Sequence, residues 1–191
     1  IQLKYLTLWR SPGVIDTLIA QLPVLDTSLE HETKQLDQEE IKLTLVTNPS
    51  CPGCKILHNK MEQVIDQLGE IPIHKNIRFL VDSQRTDTLA YFVSTSILSL
   101  PKEQQYKALS SWFSNSDKNS WARNYKSIDS EKSSHDLLIQ HRMWCFSQNI
   151  NYSPALIINE RMIASSYTVD QIKDIIIELS KKIEQPLDKA V

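Results

Sequence analysis

Two cysteines, spaced Cys51-Pro52-Gly53-Cys54, sit where one periodicity ends and another begins, and that junction restricts the fold more than any other stretch. Before it, Ile41-Lys42-Leu43-Thr44-Leu45-Val46 alternates as a half-buried strand does. After it, Ile56, Leu57, Met61, Val64, Ile65 and Leu68 recur at helical spacing. A C-x-x-C pair at a strand-to-helix turn is the setting of a redox dithiol rather than of a zinc site. The first turn of a helix has unpaired N–H groups and the positive end of the macrodipole, and both stabilise an anion. A thiol there is more acidic than a free one, and the thiolate is the reacting form. The spacing puts Cys51 at the helix start with its sulfur exposed, and Cys54 one turn in and shielded. That asymmetry gives attack on a disulfide to Cys51 and resolution to Cys54.

Glycine is scarce, 3 in 191 residues, so Gly53 between the cysteines is not spacing filler. The length fits one domain with a helical elaboration. An apolar content of 41% supplies an ordinary core. Twenty-one basic and 23 acidic residues leave a net charge of −2, and no Lys/Arg cluster points to nucleic acid. No apolar run approaches the ~18–20 residues that span a bilayer. The chain opens on Ile1, as a processed product or excised segment would, so a missing signal peptide says nothing about location. Three cysteines make no disulfide scaffold, and Cys145 is left over. A metal reading of Cys51 and Cys54 needs two further ligands, and no second C-x-x-C or H-x-x-x-H supplies them.

Residues 1–35 read as a leader that packs on the domain or joins it to an upstream segment, with a turn or two of helix over Val14 to Leu22. Residues 26–40 read as a loop with a short strand or turn. The strand over 41–47 and the helix over 52–68, stopped by Gly69-Glu70, are followed by a second strand over Asn76 to Val81. Strand, helix, strand at this spacing is a βαβ unit with parallel strands. From about 85 to 149 the pattern is helical: one helix around Leu89 to Leu98, one opened by Pro101 at its first position, and one from His135 to Asn149. Ser114 to Ser134 reads as loop anchored by Trp121 and Tyr125. Pro154 introduces a strand through Ile158, Asn159-Glu160 turns it, and Arg161 to Ala164 returns as a hairpin partner. Thr168-Val169-Asp170-Gln171 is a capping box that opens a last helix with Ile172, Ile175, Ile176, Leu179 and Ile183 on one face, ended by Pro186.

This order resembles the thioredoxin-like α/β fold, a central mixed sheet flanked by helices, with an all-helical insertion (about 85–149) between the βαβ unit and the proline-led hairpin, as in DsbA-like thiol–disulfide oxidoreductases. Cys51-Pro52-Gly53-Cys54 carries one half of the resemblance. Ile150-Asn151-Tyr152-Ser153-Pro154-Ala155-Leu156-Ile157-Ile158-Asn159 carries the other, and is similar to the family's "Thr-Pro-Thr, hydrophobic, Asn" stretch, whose proline is cis and faces the disulfide. The inter-cysteine pair departs from the Gly-Pro of thioredoxins and the Pro-His of DsbA-like proteins, so no redox potential carries over. Leu22-Pro23 to Leu29, Asn48-Pro49, His58, Trp112, Trp121 and Trp144-Cys145 further resemble the thioredoxin-like domain fused behind a vitamin K epoxide reductase-type membrane domain in some Bacteroidetes-like bacteria.

The resemblance implies a thioredoxin-like domain over 36–185, a leader or linker over 1–35 and a tail over 186–191. It implies an enzyme that exchanges disulfides with cysteine-containing protein substrates and needs no cofactor. Cys51 and Cys54 would be catalytic, and Ser153 with Pro154 would present the substrate. The narrower likeness implies electron transfer to a quinone-linked membrane domain in the same polypeptide and a periplasmic or otherwise extracytoplasmic site. Reductase and isomerase directions stay open, as does a non-catalytic peptide-binding module with a structural disulfide. Several roles also stay open on the residues themselves. Pro154 is either cis opposite Cys51 or a trans proline that starts a strand. Cys145 is either a second resolving thiol or a small buried hydrophobe. His58, at i+4 from Cys54, either modulates the thiolate or packs. Pro52 and Gly53 are the remaining candidate modulators. Trp112, Trp121 and Trp144 are core anchors of the insertion or line a substrate groove.

Overall fold

The computed structural model describes residues 8–11, 13–26, 40–115, 117–125 and 131–184. The expectations for residues 27–39 and for Pro186 and the tail lie outside the described residues. In chain order the elements are α1 (Val14–Gln21), β1 (Ile41–Thr47), α2 (Pro52–Leu68), β2 (Ile73–Phe79), α3 (Leu89–Leu98), α4 (Lys102–Ser114), α5 (Lys118–Tyr125), α6 (Glu131–Ser147), β3 (Ala155–Ile158), β4 (Arg161–Ile163) and α7 (Val169–Glu184).

The sheet order is β2-β1-β3-β4. β1 and β2 run parallel, from Ile41 opposite Ile73 to Thr47 opposite Phe79. β3 returns antiparallel on the other side of β1, and β4 pairs antiparallel with β3. The sheet is therefore mixed, and the sequence reading of a βαβ unit followed by a hairpin matches it. β1 differs from the half-buried strand expected of its alternation: Thr44 and Thr47 are buried along with the apolar residues. Its interior position explains this, because helices cover both faces of such a strand. Ile41, Leu43 and Leu45 join the main core with Met61 and Val64 of α2 and with Ile172, Ile175 and Ile176 of α7. Val46 belongs to a second, smaller core with Trp144, Cys145, Ile150, Ala155 and Ile157.

β2 begins three residues earlier than the apolar run suggests and ends at Phe79. Polar His74 and Lys75 are tolerated because β2 is an edge strand, and Leu80 hydrogen-bonds back to the Thr47 carbonyl at 2.9 Å just beyond the strand. In the insertion, Thr88 caps α3 by accepting from the Tyr91 amide at 3.2 Å. Pro101 is the N-cap of α4 rather than its first residue. The segment read as loop from 114 to 134 contains α5, whose sole buried residue is Trp121. With one core residue in eight, α5 has no apolar stripe to reveal it. α6 starts at Glu131, one turn before the His135 expected from the apolar pattern.

The two-residue turn of the hairpin has Asn159 at φ 44° and Glu160 at φ 67°, as a primed turn requires. Asn159 also ties the turn to β1, its side-chain oxygen accepting from the Lys42 amide at 2.8 Å and its own amide donating to the Lys42 carbonyl at 2.9 Å. Thr168 and Gln171 exchange the two bonds of a capping box at the start of α7, at 2.9 and 3.3 Å. Trp9 and Ile19 are buried in the main core, and α1 packs on α7.

Candidate active site

Cys51 is the N-cap of α2, with extended backbone (φ −93°, ψ 119°), and Pro52 follows as the first helical residue. A proline there costs no hydrogen bond and presets the helical φ. The first intrahelical bonds run from the Cys54 and Lys55 amides to the Cys51 carbonyl at 3.1 and 3.2 Å. All three cysteines are free thiols. Cys51 is half-buried, while Cys54 is 2% exposed. The Cys51 thiol donates toward the Ser153 carbonyl at 3.8 Å, so the cysteine turn and the start of the hairpin meet sulfur to backbone. The Ser153–Pro154 peptide bond is cis.

Burial pushes the Cys54 thiol above the ordinary cysteine range, and the Cys51 side chain adds to the rise. The Ser153 hydroxyl, the Asn48 amide and the Thr47 hydroxyl oppose it without reversing it. The Asn48 amide lies 3.3 Å from the Cys54 sulfur. Burial thus favours the protonated form of the inner thiol, whereas the half-buried outer sulfur has a path to the surface. The two roles expected from the spacing correspond to two different surroundings.

Gly53 has no left-handed backbone to justify it. Its value lies in space: a Cβ there would sit 3.4 Å from Pro154 Cδ and 3.7 Å from the Cys51 sulfur. A side chain would close the gap between the outer sulfur and the proline.

The structure brings Cys51, Cys54, Pro52, Gly53, Ser153 and Pro154 together and leaves two expected modulators aside. His58 is 2% exposed and turned into the insertion: its Nε2 meets Ser110 Oγ at 2.8 Å, and its ring stands 5.0 Å from that of Tyr106 and 5.2 Å from that of Phe113. Because Ser110 donates its own proton to the Tyr106 carbonyl at 3.0 Å, His58 Nε2 is the donor of that pair. Burial, helped by the charge of Lys75, lowers the His58 pKa to about 4. Cys145 is fully buried in α6 within the second core, and burial raises its thiol to about 11 against the opposing charge of Arg78.

Trp112 is a core anchor of the insertion, as expected, but its role and that of Asn48 as supports of the cysteine turn escaped the sequence. Trp112 of α4 donates its indole N–H to the Pro49 carbonyl at 2.9 Å, fastening the insertion to the turn. Asn48 accepts from the Ser50 amide at 2.9 Å and donates to the Leu80 carbonyl at 3.4 Å. The Asn-Pro pair is a turn signal that points to the second; nothing local points to the first, 63 residues away. Among the described residues no three His, Cys, Asp or Glu side chains cluster as a metal site needs.

A groove of about 160 Å³ runs from Gly53 and Pro154 along α2 past Ile56 and Lys60 to Tyr167. Ile56 is 67% exposed and Tyr152, also in the wall, 52%.

No family model and no curated protein matches the chain. Solved structures do. BdbD from Bacillus subtilis, in its oxidised form, is 16% identical, with 85% of this chain and 95% of that one covered at a TM-score of 0.59. The oxidoreductase NmDsbA1 from N. meningitidis is 12% identical over 91% of this chain and 96% of its own, at 0.58. The thiol-disulfide exchange protein alpha-DsbA2 from Wolbachia pipientis is 16% identical over 86% and 91%, at 0.57. At such identities the likeness is one of architecture: the chain has the DsbA-like thioredoxin fold, a mixed sheet flanked by helices with an all-helical insertion.

Proposed function

We propose that this protein is a thiol–disulfide oxidoreductase acting on cysteine-containing proteins. The observation that carries the reading is the pairing of a half-exposed Cys51 at the start of α2 with a buried Cys54 one turn inside, beside Ser153 and Pro154. The likeness of fold to NmDsbA1 and alpha-DsbA2, described as an oxidoreductase and a thiol-disulfide exchange protein, supports it.

In the oxidising direction a substrate thiolate attacks the Cys51 sulfur of the Cys51–Cys54 disulfide. The S–S bond breaks, its electron pair goes to the Cys54 sulfur, and a mixed disulfide forms on Cys51. A second substrate thiolate attacks the substrate sulfur of that bond and releases Cys51 as thiolate. Two electrons have passed from substrate to protein, and Cys54 takes up a proton as it returns to its buried dithiol state. The Thr47 and Ser153 hydroxyls and the Asn48 amide are the groups that steady its charge meanwhile. The reducing direction is the same path reversed, and no cofactor enters it.

The oxidising direction, an extracytoplasmic location and a membrane quinone-linked oxidase as electron acceptor, joined to the segment over 1–35, follow from the resemblance to the domains fused to vitamin K epoxide reductase-type proteins. Among the described residues no helix is long and apolar enough to cross a membrane.

A glutathione redox titration, read by thiol trapping that reports each cysteine, tests the reading. A Cys51–Cys54 couple near about −120 to −200 mV supports an oxidase or isomerase, and one near about −270 mV a reductase. A disulfide that stays closed below about −300 mV removes the enzyme and leaves a structural bond in a peptide-binding module.

A further inference from the structure

Among the residues lining the groove beside the cysteines, Lys60 is the single charged one. Its neighbours there are apolar or neutral: Gly53, Ile56, Leu57, Pro154 and Tyr167. Lys60 is half-buried, and among the described residues its ammonium reaches the Tyr167 carbonyl alone, at 3.5 Å. Asp170, in the first turn of α7, is engaged with Lys173 at 3.9 Å instead. A cation in a concave, largely apolar wall keeps more of its Coulomb attraction than one in open water. Among the described residues no carboxylate pairs with it.

The positions fix a distance. Gly53, Ile56, Leu57 and Lys60 share one face of α2, and seven residues of helix separate Gly53 from Lys60 by ~10 Å. An extended peptide covers that length in about three residues. Gly53 marks the cysteine end, because a Cβ on it would touch both Pro154 and the Cys51 sulfur.

We infer that the groove selects protein substrates carrying a carboxylate side chain about three residues from the reacting cysteine, with Lys60 as the residue that recognises it and Ile56 and Tyr152 covering the apolar stretch between. The inference rests on the oxidoreductase reading and names the substrate class of that site.

The test uses the oxidised wild-type protein and reduced dithiol peptides that differ at one position, Glu against Lys. The variable position lies three residues before the first cysteine in one pair and three residues after the second in the other. The readout is the rate at which each peptide opens the Cys51–Cys54 disulfide. The Glu peptide should react about fivefold faster than its Lys partner in at least one pair at low salt, the contrast of an attractive and a repulsive half-exposed charge pair. The preference should shrink in 0.5 M salt. It should vanish in Lys60→Gln and invert in Lys60→Glu. Equal rates in both pairs overturn the inference and leave the oxidoreductase standing, as does a preference that survives Lys60→Glu. No reaction with any peptide removes the oxidoreductase reading, and the inference with it.

Discussion

The two faces of the central sheet hold cysteines in opposite conditions. On one, Cys51 caps a helix start and Cys54 lies one turn in, against the main core. On the other, Cys145 sits in the body of α6, enclosed by Val46, Ile150 and Ala155, with its thiol raised to about 11. Both inner thiols are desolvated. The difference is that Cys54 has a partner sulfur, an amide at 3.3 Å and two hydroxyls around it, while Cys145 has hydrocarbon, a tryptophan and the charge of Arg78, but no second sulfur. Burial alone makes a thiol inert; burial beside a helix end and a second sulfur is the setting that the proposed exchange needs.

The sharpest way to break that contrast is to remove one sulfur from each face. Cys51→Ser should abolish exchange, at least about a thousandfold in rate on the scale of lost nucleophiles. Cys145→Ala should keep exchange within about twofold, with a modest loss of denaturation midpoint from the small cavity. A loss of exchange in Cys145→Ala would return that residue to the relay role.

The cysteine face depends on a distant tryptophan. Trp112→Ala should destabilise the fold by about 3–5 kcal/mol, the usual cost of emptying a buried indole site. Trp112→Phe keeps most of the packing and orphans the Pro49 carbonyl, at about 1–3 kcal/mol. If the turn is held by that bond, the phenylalanine variant will also alkylate Cys54 faster relative to Cys51. An unchanged ratio would mean that the turn stands without the insertion.

His58 sharpens the comparison from the helix side. Its folded pKa of about 4 lies below the unfolded 6.5, so the unfolded chain binds the extra proton between those values. The stability due to a neutral His58 is complete above pH 6.5 and is lost as the pH falls toward 4. The shift corresponds to up to about 3 kcal/mol. Urea unfolding at pH 7 and pH 4.5 should show this slope in the wild type and less of it in His58→Leu. An identical slope in both would show that the ring is not neutral in the core.

The smallest effect concerns Gly53. Gly53→Ala should raise stability by about 0.5–1 kcal/mol, since the backbone suits alanine. It should slow exchange with protein substrates a few-fold, because its Cβ fills the gap between Pro154 and Cys51. An unchanged rate would show that substrates approach from elsewhere.

The parts of this protein that could be read in the chain are those fixed by local pattern. The strand-to-helix junction, the Asn159-Glu160 hairpin and the Thr168–Gln171 box each carry their determinants within a few residues, and the structure reproduces them. The first half of β2 was hidden because an edge strand tolerates His74 and Lys75. The α5 helix was hidden because Trp121 alone gives it a reason to pack. At the site, the cysteines and the proline were legible as residue types in context. The setting of His58 was not, because Tyr106, Ser110 and Phe113 come from a helix about fifty residues on. Lys60 drew no notice either: its meaning depends on which face of α2 meets the hairpin, a fact of tertiary packing.

The margins of the sheet have a consequence for solution behaviour. Along β4, the Pro23 carbonyl takes the Met162 amide at 3.0 Å, the Leu25 amide reaches the Glu160 carbonyl at 2.8 Å, and Val24 bridges Arg161. At the opposite margin the Phe79 amide is taken by His141 Nδ1 at 3.2 Å. Free strand edges are where β-proteins stack into aggregates. The β4 margin and the Phe79 end of β2 are thus closed to strand addition, so a client of the proposed exchange would be joined to the protein through sulfur, a bond that the same chemistry undoes.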